Sequence, residues 1–304
     1  MRSGTIDVGA IPGGLDLSVT LESGQTYLWW REDDHGYDDG GPGEGWYATT
    51  TRGHDGRPVP IRARQRGDTL EWASTVDADP VLRRRLGLGA DLPAIRRASA
   101  DHALLESAYD AHWGLRIVRD PPFPTLVTFI CSAQMRVARI HGMQQALREA
   151  LGTSVTVAGT TYHAYPTPEQ VAAASETDLR DLGLGYRAPY VRETAELVAT
   201  GAADPAAAAD LAYEDAREAL TEFVGVGPKV ADCVLLFSLG FLEAVPLDTW
   251  IRGAIAEHFP ACDRGSYTET SRAIRERLGG EYAGYAQTYL FHHLRTGAVE
   301  AAAD

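Results

Sequence analysis

Lysine is almost missing from this chain: Lys229 is the only one in 304 residues, although arginine is frequent. Arginine can supply a generic surface cation, but it stays protonated and its charge is delocalised, so it cannot act as an amine nucleophile. A single lysine kept among arginines is a candidate for chemistry. Cysteine is scarce as well. Cys131, Cys233 and Cys262 are far apart, odd in number and without a CxxC pair. That argues against a disulfide framework and against zinc or iron–sulfur sites built on cysteine, and leaves reduced, mostly buried thiols.

No run approaches the 18 or more uncharged apolar residues of a membrane span. The opening MRSGTIDVGAIPGG lacks the apolar centre of a secretory signal. Both features predict a soluble intracellular protein with no membrane partner. Net positive charge is absent too, the formal balance being −14. On its face this argues against a nucleic-acid partner. Sparse lysine with abundant Asp and Glu is, however, the surface expected in concentrated salt, as in the cytoplasm and nucleoid of a halophilic prokaryote. High-GC codon usage produces the same exchange of Lys for Arg. In molar salt the counterion-release contribution nearly vanishes, so DNA affinity would rest on local arginines, backbone amides, stacking and shape.

What is present reads as an α+β protein of two domains, the length being ample for both. Residues 1 to about 76 read as strands and turns. LDLSVTLE (15–22) and part of TYLWWRE (26–32) alternate apolar and polar residues around a Ser23-Gly24-Gln25 turn. GWYATT, VPIRARQR and TLEWAST read as further strands, and the acidic, glycine-rich 33–45 as a loop. From about residue 79 apolar residues recur at i, i+3 and i+4. They predict helices over 100–112, 123–133, 136–150, 167–174, 187–200 and 213–223. The expected boundary lies near residue 105, with an N-terminal antiparallel sheet domain over 1–105 and a helical body over 106–300.

The informative stretch is LTEFVGVGPKVADCVLLFSLGFLEAVPLDTWIRGAI (220–255). A helix ends near Phe223, Gly225-Val226-Gly227 turns tightly, and Pro228 opens a second helix at the favoured first position. This arrangement grips a phosphate through backbone: glycines allow close approach and the free amides of the new helix point outward. A purely structural helix–turn–helix corner has the same pattern. Lys229 lies in the first turn of that helix, where the macrodipole disfavours a cation and so favours a neutral amine. Cys233 follows one turn on, at i+4. Asp248 precedes a third helix, where it can cap the helix and also present an ionised carboxylate to an oxocarbenium-like sugar.

The run GVGPKVADC followed by AVPLD, with lysine and aspartate 19 residues apart, resembles the helix-hairpin-helix (HhH-GPD) glycosylase superfamily. Within it the chain resembles 8-oxoguanine DNA glycosylases of the OGG type. LDLSVTLESGQTYLWWRE, FICSAQMRVARI, LGLGYRAPYV and YAGYAQTYLF carry the likeness through most of the chain. The resemblance implies a TBP-like N-terminal sheet, a two-lobed all-helical body and a cleft between lobes. It implies that Lys229 attacks C1′ and forms a Schiff base, that Asp248 assists, and that β-elimination follows. It gives the Gly24 carbonyl the reading of the N7–H of 8-oxoguanine, Cys233 and Phe291 the sandwiching of the flipped base, and Gln287 its Watson–Crick edge. Tyr186 would wedge into the duplex, and Arg139 and Arg187 would contact the orphaned cytosine. The partner implied is double-stranded DNA with oxidised guanine, bound by a monomer, with no cofactor or metal needed for catalysis.

Bland readings stand beside these roles: Phe291 as a core aromatic, Gln287 as a surface amide, Tyr186 as packing and Arg139 as a helix-face charge. Three departures from the family pattern bear on specificity. Gln134-Met135-Arg136 replaces a run of asparagines, Trp250 stands where the family has histidine, and HHLR after Phe291 is one residue short, so a base-pocket aspartate is missing. Three other activities fit the same residues. One is a monofunctional alkylated-base glycosylase using Asp248 alone; another is a non-catalytic module binding damaged DNA; a third is an enzyme for a different oxidised purine.

Overall fold

The computed structural model describes residues 1–33, 45–53, 55–99, 101–133 and 135–303, with side chains to residue 297. The chain opens with β1 (Arg2–Asp7), α1 (Leu17–Glu22), β2 (Trp30–Arg31), β3 (Tyr47–Arg52), β4 (Pro58–Arg66), β5 (Thr69–Ser74) and α2 (Asp79–Arg85). The five strands form one antiparallel sheet in the order β1-β5-β4-β3-β2. Alternation along β5 sends Leu70, Trp72 and Ser74 inward. With Ile6 and Ile61 on the same buried face, Leu70 and Trp72 share a core with Leu17 and Leu21 of α1 and Leu82 of α2.

The alternation in 15–22 predicts a strand, but the segment is helical. Asp16 caps it, accepting from Val19 N at 2.9 Å, a contact worth about 1 kcal/mol. Leu17, Thr20 and Leu21 then fall on one buried face at helical spacing. The expected strand over 26–32 is reduced to two paired residues. Its earlier part is committed to the body instead: Thr26 donates to the buried Asp120 carboxylate, which also receives Arg85.

The remainder comprises α3 (Leu92–Ala98), α4 (Ala103–Ala111), α5 (Pro122–Cys131), α6 (Val137–Leu151), β6 (Ser154–Val157), β7 (Thr160–His163), α7 (Pro168–Ala173), α8 (Glu176–Leu179) and α9 (Ala188–Ala199). It continues through α10 (Tyr213–Leu220), α11 (Pro228–Val234), α12 (Thr249–His258), α13 (Tyr267–Arg277) and α14 (Ala283–Ala303). Its helices share a second core running from Leu92 to Leu290, which also takes in Tyr27 and Leu28 from the N-terminal region. The hairpin β6–β7 interrupts the helices and leans on β4. The helix of the hairpin motif continues past Val234 as a π-turn over Leu235–Leu239 and stops at Gly240. Among the described residues no helix is long and apolar enough to cross a membrane.

Candidate active site

Lys229 and Asp248 come from two elements, and the charge of the one acts on the carboxyl of the other. Lys229 is the second residue of α11, which packs on α5. Its Nζ lies 3.3 Å from Ser132 Oγ, just past the C-terminus of α5, and 5.4 Å from the centre of the Phe129 ring. Ser132 donates its own hydroxyl proton to Phe129 O at 2.8 Å, so a lone pair faces the amine. Ser132 lies within the FICSAQMR block, but its residue type alone gave no role there.

Asp248 is the N-cap of α12, accepting from Ile251 N at 2.8 Å. Burial pushes its carboxyl above the ordinary aspartate value; the Ile251 N–H, the Lys229 charge and the Trp250 N–H pull it back in part. Desolvation therefore outweighs the cap, contrary to the expectation that backbone N–H bonds alone keep this group ionised. Cys233, buried one turn beyond Lys229, has its thiol pushed up to about 12 by burial, with the Lys229 cation acting the other way. It is a neutral thiol at the foot of the site.

The hairpin takes the expected form between α10 and α11. Gly225 adopts φ +81°, and a methyl group there would come within 2.8 Å of Tyr190 on α9. Gly227 is extended and precedes Pro228, and a methyl there would meet nothing within 4 Å. The first-turn amides of α11 lack intrahelical acceptors by construction. Val226 is buried and fixes the turn from inside.

The second half of the site comes from the turn after α1 and from α14. The Gly24 turn has φ +84° and lies against Phe291. Gln25 anchors that turn, donating to Thr20 O, Ser23 Oγ and Arg116 O and accepting from Val118 N. Phe291 is half-buried, and Gln287, one turn earlier on α14, is buried and accepts from Thr288 Oγ1 at 3.3 Å. Gln287 is thus not a surface amide. Tyr27 joins the two halves: its hydroxyl lies by Gly24, and its ring meets Phe129 edge-on at 6.4 Å.

The predicted duplex contacts divide. Tyr186 and Trp250 are 55% and 38% exposed, unusual for large aromatics. Trp250 is the second residue of α12, two after Asp248, while Tyr186 meets Tyr190 edge-on at 6.2 Å. Tyr190 therefore links the Tyr186 segment to the hairpin. Arg139 is exposed on α6 near Gly183. Arg187 is only 4% exposed, beneath the Tyr186 ring, and donates to Ala133 O. Gln134 lies outside the described residues. The surface cavity lined by Pro93, Arg96, Glu106 and Trp113 includes none of these groups.

Residues 127–279, from the second half of α5 through α13, match the profile described as HhH-GPD superfamily base excision DNA repair protein. The chain belongs to the HhH-GPD superfamily. Among superfamily relatives, a probable N-glycosylase/DNA lyase of Methanothermobacter thermautotrophicus is 32% identical over 94% of this chain and 96% of its own. The N-glycosylase/DNA lyase OGG1 of Arabidopsis thaliana is 28% identical over 91% of this chain and 76% of its own. Among solved structures, the Clostridium acetobutylicum 8-oxoguanine glycosylase/lyase, in complex with double-stranded DNA containing cytosine opposite 8-oxoguanine, superposes with a TM-score of 0.81. It is 26% identical and covers 93% of each chain. The profile stops short of the N-terminal sheet, but the likeness to these relatives takes it in.

Proposed function

We propose that this protein is a bifunctional DNA glycosylase and AP lyase that excises 8-oxoguanine from duplex DNA. The observation that carries the reading is the only lysine in the chain, in the first turn of the hairpin-motif helix, whose charge acts on the buried carboxyl that caps α12. The full-length likeness to glycosylase/lyases selects the substrate class.

A damaged nucleotide must leave the stack to expose its glycosidic carbon. Tyr186 fills the gap, and Arg139 faces the widowed cytosine with Arg187 behind it, bonded to Ala133 O in the free protein. Gly225 and Gly227 hold a phosphate through backbone amides, while the Val226 N–H closes the turn on Phe223 O at 3.1 Å. Trp250, exposed at the start of α12, adds to the DNA surface. The base enters between Cys233 and Phe291, with Gln287 on its Watson–Crick edge and the Gly24 carbonyl on N7–H. The lone pair of Lys229 Nζ attacks C1′ as the C1′–N9 bond breaks and its electron pair leaves with the purine. Asp248 stabilises the cationic sugar in that transition state. Loss of the amine's protons and ring opening give the imine, whose C2′ proton is removed as the 3′ phosphate departs. Asp248→Asn is expected to keep DNA binding and lower base release from an 8-oxoguanine:cytosine duplex by on the order of a hundredfold or more. Base release within a few-fold of wild type would overturn the role given to Asp248.

The same reading makes the protein a monomer working in the cytoplasm or nucleoid of a prokaryote with a salt-rich interior. A net charge of −14 with a single lysine supports this. A melting temperature that rises steadily into molar potassium chloride is the expected sign, and insensitivity to salt the contrary one.

A further inference from the structure

Lys229 and Asp248 belong to different elements, and one buried polar link joins those elements directly. Asp232, three residues after Lys229 on α11, is 0% exposed. Its two carboxylate oxygens are taken by two tyrosines: Tyr213 OH donates to Oδ1 at 2.8 Å and Tyr267 OH donates to Oδ2 at 2.7 Å. Arg217 Nη1 stands 3.9 Å from Oδ2. The two tyrosines differ in what they do next. Tyr213 receives Arg217 on its oxygen at 3.4 Å and belongs to α10. Tyr267, the first residue of α13, accepts from Leu247 N at 3.2 Å. Leu247 is the residue before Asp248, in the stretch that enters α12.

We propose that Asp232 and Tyr267 are positioning residues of this active site, forming a clamp from the helix of Lys229, through the Tyr267 hydroxyl, to the backbone that carries Asp248. The proposal rests on Lys229 and Asp248 as the reacting pair. A buried carboxylate costs desolvation free energy unless it is fully bonded. Tyr213 and Arg217 already give it partners, yet a second hydroxyl is spent on it, and that hydroxyl also holds a peptide N–H that would otherwise lie buried without an acceptor. The result is a fixed distance between α11 and the Leu247–Asp248 peptide, on which the placement of the carboxylate against the amine depends. Misplacement by about 1 Å costs on the order of a hundredfold in rate.

The symmetry of the two tyrosines supplies the test. Tyr267→Phe and Tyr213→Phe each remove one hydroxyl from Asp232, and only the first cuts the link to Leu247. Single-turnover base release at saturating enzyme, DNA affinity by anisotropy, and melting temperature would be compared for both, with Lys229→Gln as the borohydride-trapping control. The clamp predicts that Tyr267→Phe slows base release about tenfold or more with unchanged DNA affinity. Tyr213→Phe should stay within about twofold at a similar melting temperature, because its hydroxyl does not reach the Asp248 backbone. Asp232→Asn weakens the link from its other end and is expected to slow release in the same direction. Equal effects of the two tyrosine variants, or wild-type release by Asp232→Asn, overturn the clamp alone. A covalent adduct that persists in Lys229→Gln overturns the reacting pair, and the clamp with it.

Discussion

Gly24 and Phe291 are in contact where the turn after α1 meets α14: a methyl group on Gly24 would stand 3.0 Å from Phe291 Cε1. The backbone there is also left-handed, at φ +84°, which costs an L-residue about 1–2 kcal/mol. Gly24→Ala is therefore expected to lower stability by about that amount and to push the turn away from the aromatic ring. Excision of 8-oxoguanine should fall at least tenfold, an order-of-magnitude expectation for a displaced hydrogen-bond acceptor. Thermal unfolding together with single-turnover base release checks both parts.

The two hairpin glycines are expected to behave differently. At Gly225 a methyl would collide with Tyr190 at 2.8 Å on a left-handed backbone, so Gly225→Ala should lower the melting temperature and DNA affinity together. At Gly227 the added carbon meets nothing within 4 Å. Gly227→Ala should leave the melting temperature unchanged and weaken DNA binding only, because the carbon would occupy the space a phosphate approaches. Melting curves and anisotropy titrations separate the two outcomes.

How much of this was legible beforehand varies with the range of the interaction. Lys229 and Asp248 stood out as candidates because the lone lysine, Pro228, the glycines and the N-cap position are local signals; the role proposed for Cys233 came only with the family resemblance. Strands β3 to β5 were equally plain from alternation. The helix at 17–22 was not, since a six-residue run fits both periods and the Asp16 cap decides between them. The β6–β7 hairpin did carry a signal, Ala158-Gly159 between runs rich in Val and Thr, with both turn residues at positive φ. Ser132, Tyr190 and Tyr267 were invisible, because their partners lie far along the chain: Ser132 is 97 residues from Lys229, and Tyr267 is 35 from Asp232.

Asp232 also sets a pH dependence of stability. Burial pushes its carboxyl up to about 7, against which the hydrogen bonds of Tyr267 and Tyr213 and the charges of Arg217 and Arg275 act downward. The folded state therefore holds a proton that the unfolded state has released above roughly pH 4. Stability must fall as pH rises from about 4 toward 7 on account of this group. The melting temperature of wild type relative to Asp232→Asn should accordingly be highest near pH 4 and decline toward pH 7. A difference that is flat over this range would contradict the assignment.

The imine is tested most directly by borohydride trapping on a duplex carrying 8-oxoguanine opposite cytosine, in high potassium chloride, for wild type and Lys229→Gln. A stable covalent protein–DNA adduct is expected with wild type and none with the variant, because no other side chain of this protein offers a lysine amine. Clean base release by wild type without any adduct would contradict this, leaving a monofunctional glycosylase that works through Asp248.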